Sequence, residues 1–227
     1  MWNLDNRLLL CAGFVREGAK IADIGTDHAY LPVWLALNGK ISSAVASDVR
    51  KGPLENAKSN IEKNGVSDRV KAVLSDGLDN ISEKDADDII MAGMGGELMI
   101  RLTDRTTWLK NSEKRLILQP MTRAESLRRY LCENGFEIVQ ERACISLGKA
   151  YSVMLCRYDG IKRECSEEFA YIGALGKDNS DEAKRYIYVV NEKLKKKIKG
   201  FSEGTQEYKK VLALIEKLTA YYKTEGE

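Results

Sequence analysis

The chain has 227 residues, with 36 Lys and Arg against 34 Asp and Glu, and a formal net charge of +2 at pH 7. This near balance excludes nucleic-acid binding through a global positive field, so any such affinity must come from local basic patches. Five cysteines without a Cys-x-x-Cys pair, and a single histidine, argue against a structural zinc site and suit a reducing compartment.

Apolar runs alternate with segments of helical periodicity over the first two thirds of the chain, and several helical segments end at glycine. We predict strands at 20–24, 43–48, 70–75, 88–92, 115–119, 136–139 and 150–158. We predict intervening helices at 4–15, 30–38, 97–104 and 122–131, and one more that carries the apolar stripe Leu54, Ala57 and Ile61. The sequence at 122–125 is typical of a capping box that starts a helix.

This alternation predicts an α/β fold with a mostly parallel, doubly wound sheet. The last two of the seven strands have no helix between them, so the final strand should run antiparallel. After Asp159 the strand pattern stops, and a short helix at 166–175 precedes apolar repeats at 183–198 and 208–222. The break at 200–204 predicts an antiparallel, coiled-coil-like helical hairpin. We therefore expect two domains, 1–159 and 160–227.

The turn after the first strand, residues 23–28, is the strongest functional signal. Gly25 lets a ligand approach the backbone, while Thr26 and His28 stand where a Gly-x-Gly-x-x-Gly fingerprint would continue. The missing glycines argue against a bound pyrophosphate and weaken an NAD-linked oxidoreductase as an alternative. In an ordinary strand-to-helix turn, Asp27 or His28 would only cap the helix. His28 could also move protons, but we favour a ligand or cap contact.

Acidic residues end the next two strands. Asp48 lies 25 residues after Asp23, near the interval expected for an acid that binds ribose, although it could also be a solvated or capping acid. Asp76 could bind an adenine amino group, with the backbone of Gly77 and Leu78 at the ring edge, or the segment could be a simple turn. Because the carboxyl ends of parallel strands meet at one edge, these acids indicate a nucleoside site. We predict S-adenosylmethionine.

The glycine-rich segment at 93–96 follows the fourth strand, and we predict a loop there that lets a ligand lie against the backbone. The candidates for positioning the acceptor are Asp5, Arg7, Met94 and Gln119. For the first two, helix capping and a surface ion pair are an equally good interpretation.

Three motifs together resemble one bacterial enzyme family. They are Asp-Ile-Gly-Thr-Asp-His-Ala-Tyr-Leu-Pro at 23–32, Met-Ala-Gly-Met-Gly-Gly at 91–96 and Leu-Gln-Pro-Met at 118–121, followed by a helical tail. In this combination, and over essentially the whole chain, they resemble the bacterial tRNA methyltransferases that modify N1 of adenine 22.

The resemblance implies a class I, Rossmann-like methyltransferase domain and a C-terminal coiled-coil domain. It also implies S-adenosyl-L-methionine as cofactor, S-adenosyl-L-homocysteine as product, tRNA as partner and no metal. The cofactor site that it implies comprises Asp23, Gly25, Thr26, His28, Asp48, Asp76, Gly77, Leu78 and the 93–96 segment, with Gly93 and Gly95.

The chemistry expected of this family needs no covalent enzyme nucleophile. The sulfonium is an activated methyl donor and N1 of neutral adenine carries a lone pair, so positioning and electrostatics should dominate. The target base should swing out of its stack. The Asn/Asp-Pro-Pro-aromatic motif of enzymes that methylate exocyclic amines is missing, which disfavours reaction at N6.

Basic residues gather on two predicted helices, one beside the fifth strand and one in the tail. We predict RNA contact by Arg123, Arg128, Arg129, Lys193, Lys195, Lys196 and Lys197. Charges on such a hairpin can instead serve only solubility.

Two other functions stay open at this point. One is methylation of another RNA, a small molecule or a protein, and the other is a non-catalytic RNA-binding scaffold. The chain shows no signal segment and no apolar run of about 18 residues, so we expect a cytoplasmic protein that does not enter membranes. No obligate protein partner is evident.

Overall fold

The computed structural model describes residues 4–222. Its strands are β1 (Ala19–Ile24), β2 (Ile41–Asp48), β3 (Val70–Leu74), β4 (Asp88–Gly95), β5 (Arg115–Thr122), β6 (Phe136–Ser146) and β7 (Lys149–Tyr158). Its helices are α1 (Asn6–Phe14), α2 (Tyr30–Leu37), α3 (Lys51–Lys63), α4 (Gly96–Arg105), α5 (Ala124–Glu133), α6 (Glu167–Ile172), α7 (Asp181–Ile198) and α8 (Gln206–Thr219).

The seven strands form one sheet in the order β3-β2-β1-β4-β5-β7-β6. The first five strands pair in parallel, while β7 lies antiparallel between β5 and β6. The predicted seven-stranded, mostly parallel sheet with an antiparallel last strand is confirmed. Reversal of the strand order between β1 and β4 creates a crevice at the carboxyl edge, which is where open α/β sheets bind ligands.

The position of β4 at the centre of the sheet explains why its sequence is an unbroken apolar run. Ile89, Ile90 and Met91 are all completely buried because helices cover both faces of the sheet. Ile90 packs with Ile21 under α1, α2 and α3, whereas Ile89 and Met91 pack under α4 and α5. A one-residue shift of register would exchange these two cores.

The glycine-rich segment differs from the predicted loop. Residues 93–95 continue β4, because Met94 pairs with Pro120 and Gly95 with Thr122 across two register irregularities. Helix α4 then begins directly at Gly96. A side chain at Gly96 would overlap the carbonyl of Arg123, so close packing accounts for this glycine.

The predicted capping box at 122–125 is wrong, and the alternative in which His28 caps the next helix is not observed. Thr122 belongs to β5, and α5 begins after Arg123, which adopts a left-handed φ of +56° without a side-chain cap. The first residue before α2 is Ala29, at φ +55°, so His28 is not its cap. In both cases the residue before the helix has a left-handed backbone, whereas an N-cap residue normally has an extended one.

The last two helices, α7 and α8, pack as the predicted hairpin. Asn191 donates from Nδ2 to the carbonyl of Ile215 at 3.2 Å and to the hydroxyl of Tyr222 at 2.7 Å, which fixes their antiparallel register. Leu194 and Leu218 lie in their shared apolar core. Helix α7 also packs on β6 and β7. The division at residue 159 stays a prediction.

Within residues 4–222, no helix is both long and apolar enough to span a lipid bilayer. No cluster of three or more His, Cys, Asp or Glu side chains in that part of the chain is arranged to hold a metal ion. All five cysteines are free thiols, and four of them are buried.

Candidate functional site

The turn after β1 is held in a left-handed conformation by Gly25, at φ +72°. The amides of Gly25 and Thr26 both donate to the carbonyl of Ser47, at 2.8 and 2.9 Å. These amides are therefore engaged within the fold and do not form an anion-binding cradle. This geometry agrees with the sequence argument against a pyrophosphate at the turn.

Asp23 lies under this turn with only 5% of its surface exposed. The hydroxyl of Thr26 donates to its Oδ2 at 2.5 Å. Burial raises the pKa of Asp23 to about 6, and the hydrogen bond from Thr26 opposes part of that rise. The turn thus holds a partly desolvated acid immediately behind the backbone that a ligand would meet.

The tips of β1, β4 and β5 converge beside this turn. A methyl group built on Gly25 would lie 3.4 Å from Sδ of Met94. Gly93, at φ +79°, donates its amide hydrogen to Oε1 of Gln119 at 3.0 Å. The structure therefore brings Met94, Gly93 and Gln119 next to the first turn, as the sequence motifs imply.

Asp48 ends β2 with a side chain that is 6% exposed. Its Oδ1 accepts the amide hydrogen of Arg50 at 2.8 Å, while Oδ2 receives no hydrogen bond from residues 4–222. One carboxylate oxygen is thus available at the carboxyl edge. The next residue, Val49, is 61% exposed and adds an apolar surface directly after Asp48. Sequence reasoning missed Val49, although an apolar residue directly after a strand-ending acid was a usable signal.

The side chains of the turn after β3 make more contacts within the fold than the sequence predicts. Arg105 pairs with the exposed carboxylate of Asp76 at 2.9 Å, and this hydrogen-bonded contact lowers the pKa of Asp76. A side chain at Gly77 would overlap Leu102, so the packing of α4 accounts for this glycine. Leu78 is buried in the core, which leaves only its backbone for a ligand. Arg105 had no recognisable sequence signal.

His28 lies at the surface of the same edge, 39% exposed. Its ring stacks on Tyr30 with centroids 5.0 Å apart, and Nε2 lies 3.5 Å from the carboxylate of Asp27. Asn60 donates to its carbonyl at 2.9 Å. These contacts fit a residue that shapes the turn, and a ligand contact by its exposed ring stays a prediction.

Asp5 and Arg7 join the first helix to this site. Oδ1 of Asp5 caps α1 by accepting the amide hydrogens of Arg7 and Leu8, and Oδ2 accepts from Nη2 of Arg7 at 2.8 Å. Nη1 of Arg7 donates to Oε1 of Gln119 at 2.8 Å. The cap and ion-pair interpretation is correct, and the same pair also reaches the site. The Arg7 guanidinium covers the ring of Tyr151, 5.5 Å from its centroid.

Gln119 is completely buried, and its amide is fully used. Oε1 accepts from both Gly93 and Arg7, while Nε2 donates to the carbonyl of Pro120 at 3.2 Å. Gln119 therefore positions the glycine segment and α1, and its amide has little capacity left for a direct contact to a substrate base.

The prediction that Arg128 contacts RNA is wrong. Its side chain is completely buried and forms a 2.7 Å ion pair with the equally buried Glu141. Burial alone would lower the pKa of Arg128, but the Glu141 carboxylate raises it, so the guanidinium is charged. It also donates to the carbonyls of Ala170 and Tyr171, which attaches α6 to the sheet. Its position beside Leu127, on the apolar face of α5, was the signal that sequence reasoning overlooked.

The other basic candidates are at the surface. Arg129 pairs with Glu167 at 2.7 Å, and Lys195 pairs with Glu192 at 2.8 Å. Arg123 is 57% exposed and contacts Glu97 at 3.1 Å. The side chains of Lys193, Lys196 and Lys197 are exposed as well.

The fold agrees with what comparisons with known proteins find. The sequence model of a family described as a methyltransferase domain matches residues 4–154. Taken with the strand order and the glycine turn, this match defines the class of the protein as a methyltransferase.

Within this class, the chain belongs to the family of tRNA (adenine(22)-N(1))-methyltransferases. The enzyme of that name from Bacillus subtilis is 36% identical over 165 residues, which cover 70% of this chain and 69% of the relative. Streptococcus pneumoniae Sp1610 is 32% identical, with a TM-score of 0.86 over 97% of this chain and 100% of that chain. A second crystal structure of Sp1610 contains S-adenosyl-L-methionine and superposes with a TM-score of 0.84.

Proposed function

We propose that the protein transfers the methyl group of S-adenosyl-L-methionine to N1 of adenine 22 in tRNA. The single observation that carries the proposal is the convergence of Gly25, Asp48 and Gly93 at the carboxyl edge of the sheet. One oxygen of Asp48 is free there, and two glycines in left-handed conformations present bare backbone. Family membership supplies the reaction, and the geometry fits it.

The residues present fit the cofactor. The free oxygen of Asp48 suits a ribose hydroxyl, and the exposed surface of Val49 suits the flat face of an adenine ring. Asp76 would accept from the adenine amino group beside its contact with Arg105. Buried Asp23 places negative charge behind the turn, where a cationic methionyl group would lie. Thr26, His28, Gly77, Leu78 and Gly95 complete the proposed cofactor site.

The bound cofactor supplies an activated methyl group on a sulfonium. The chain itself needs to align N1 with that methyl group and exclude water. Gln119 and Arg7 hold the backbone of Gly93 at fixed positions beside the transfer point, with Met94 against Gly25. The methylated adenine carries the positive charge that the sulfonium loses, so no proton has to be removed and no general base is required.

The substrate surface extends from this edge to the helical tail. Arg123, Arg129, Lys193, Lys195, Lys196 and Lys197 are the proposed RNA contacts, since their charges suit phosphates. We place the four lysines in a second domain, 160–227, and the two arginines in the catalytic domain, 1–159. Because the proposed substrate is tRNA, we assign the protein to the cytoplasm. The proposal includes no obligate protein partner.

A direct test is to incubate the protein with methyl-labelled S-adenosyl-L-methionine and unmodified tRNA, then identify the labelled nucleoside by mass spectrometry. We expect 1-methyladenosine at position 22. A tRNA with guanine at position 22 is the matched control and should remain unlabelled. Label in N6-methyladenosine, or equal label in the control tRNA, would contradict the proposal.

A further inference from the structure

A groove of about 700 Å³ lies beside the methyl-transfer edge. Its walls are the β5–α5 connection at residues 120–125, the β6–β7 turn at 148–151 and one face of α7. The volume falls within the range of about 300–1,000 Å³ that is usual for ligand sites. None of the cofactor residues proposed above lines it, so it is a separate surface.

The charged residues that line this groove are predominantly basic. Four of its lining residues are basic, namely Arg123, Lys149, Lys193 and Lys197. The three lysines are exposed and form no ion pair with any part of the chain that the structure describes. The one acid in the lining, Glu125, lies 3.4 Å from Arg123. Unpaired ammonium groups facing one open space suit an anionic partner.

The spacing of the α7 lysines suits a phosphate chain. Lys193 and Lys197 are four residues apart, so they lie on one helix face with an axial separation of about 6 Å. Lys195 lies between them in sequence but pairs with Glu192 and does not line the groove. The groove therefore presents two ammonium groups in a row, as successive phosphates along a strand require.

Aromatic rings are the second feature of the groove that suits nucleic acid. Tyr151 and Tyr186 both line the groove. The hydroxyl of Tyr186 is held by Arg128 at 3.2 Å, and Tyr151 lies beneath the guanidinium of Arg7. Rings fixed in this way can support an unstacked base, because base–aromatic stacking is tolerant of sequence.

The groove connects directly to the transfer point. Met121 lies in its lining, and Sδ of Met121 is 3.8 Å from Nη1 of Arg7. Arg7 in turn binds Gln119, which holds Gly93. A nucleotide next to a base swung out to Gly93 would therefore enter the groove at its Tyr151 end.

We propose that this groove binds the tRNA nucleotides that adjoin the target adenine, with Lys149, Lys193 and Lys197 on their phosphates and Tyr151 under a base. The inference rests on the proposed function, because it assumes that tRNA is the substrate. It assigns the phosphates beside the target adenine to the lysines that share the groove. Lys199 and Lys209 do not line it and are not among the RNA contacts proposed above.

The test compares two double charge reversals in the helical tail. One variant is Lys193→Glu with Lys197→Glu, and its matched control is Lys199→Glu with Lys209→Glu, at two exposed lysines outside the groove. Both change the net charge equally. We expect the groove variant to bind tRNA about tenfold or more weakly, and its logarithmic salt dependence to flatten by about 1.5 for two lost phosphates. The control should change affinity less than about threefold, and both should bind S-adenosyl-L-methionine like the parent protein.

Equal losses in the two variants would indicate diffuse attraction and overturn the groove assignment, as would unchanged tRNA binding by the groove variant. In either case methylation of tRNA by the parent protein would leave the proposed function standing. If the parent protein bound tRNA in the groove but formed no 1-methyladenosine, the proposed function would fail instead.

A measurement without mutation covers the case of a misfolded variant. Lysines are acetylated with an amine-reactive ester, with and without tRNA, and the modified peptides are quantified. We expect tRNA to protect Lys149, Lys193 and Lys197 while Lys199 and Lys209 stay reactive. Uniform protection of all five, or protection of none, would overturn the proposal.

Discussion

Nη1 of Arg7 lies 2.8 Å from Oε1 of Gln119, and the same oxygen accepts the amide hydrogen of Gly93 at 3.0 Å. One side-chain amide thus joins the first turn of α1 to the tips of β4 and β5. Arg7 also binds Asp5 and covers the ring of Tyr151, so this network connects α1, β4, β5 and β7 at the rim of the site. These residues touch no reacting atom themselves, but their contacts determine where the reacting atoms can meet.

Replacing Arg7 tests this positioning role. Arg7→Lys removes the planar guanidinium, so one ammonium group must replace contacts to Asp5, Gln119 and Tyr151. We expect kcat/KM for tRNA to fall about tenfold or more, since loss of a charge-assisted hydrogen bond costs about 1.5–3 kcal/mol. The dissociation constant for S-adenosyl-L-methionine, measured by calorimetry, should stay within about threefold of the parent value.

A matched control for this variant is Arg157→Lys, in an exposed pair with Glu137 on the far side of the sheet. It should leave kcat/KM unchanged, because surface ion pairs contribute little. If Arg7→Lys behaved like Arg157→Lys, Arg7 would have no positioning role.

Asp48 carries the cofactor assignment. Asp48→Ala removes the free carboxylate oxygen and should weaken S-adenosyl-L-methionine binding about 10- to 100-fold, since hydrogen bonds to a charged group contribute about 1.5–3 kcal/mol. Asp27→Ala, at an exposed acid of the neighbouring turn, is the control. Calorimetry on both variants checks the prediction, and parent-like affinity of Asp48→Ala would refute the ribose contact.

The pKa of Asp23 predicts how stability depends on pH. The carboxyl ionises at 3.8 when unfolded, whereas burial raises its folded pKa to about 6. Between these values the folded state binds the extra proton, so this group contributes less stability as pH rises, and its full cost is present above pH 6. That cost is about 3 kcal/mol, at roughly 1.4 kcal/mol for each pKa unit.

Asp23→Asn should therefore gain stability relative to the parent protein as pH is raised from 4 to 7. Urea unfolding of both proteins across this range gives the difference, in which the other titrating groups cancel. A difference that does not change with pH would mean that Asp23 is not the desolvated acid described above.

Because Arg128 and Glu141 form a buried pair, we expect substitutions at the two positions to have strongly non-additive effects on the free energy of unfolding. Arg128→Met leaves a buried carboxylate without its partner and should lower the free energy of unfolding by about 3–5 kcal/mol. The double variant with Glu141→Leu should recover most of that loss. Denaturant titrations of the two single variants and the double variant measure the coupling, and additive losses would contradict a direct buried pair.

Much of the fold was predictable because its signals are local. Unbroken apolar runs such as Ile89–Met91 require a strand buried on both faces, and the missing helix before β7 required an antiparallel strand. The insertion of β7 between β5 and β6 was not predictable from periodicity, because the pattern of each strand is the same in either order.

The site was predicted less completely, since long-range contacts decide it. Asp48 and Gly25 occupy positions that sequence spacing assigns correctly to one edge. Gly77 and Gly96 also have a packing role that the sequence does not indicate, because a side chain there would overlap Leu102 or Arg123. The position of Arg128 beside Leu127, on the apolar face of α5, indicates that it is buried, but the sequence does not identify Glu141 as its partner. These contacts form only when distant segments meet.

The central claim is that N1 of an adenine attacks the methyl group at this edge of the sheet. The most direct measurement is transfer of labelled methyl to tRNA that carries 1-deazaadenosine at position 22, beside tRNA that carries 7-deazaadenosine there. Both bases keep the shape and the exocyclic amine, but only the second keeps N1. We predict label in the 7-deaza tRNA and none in the 1-deaza tRNA, and methylation of the 1-deaza tRNA would contradict the account.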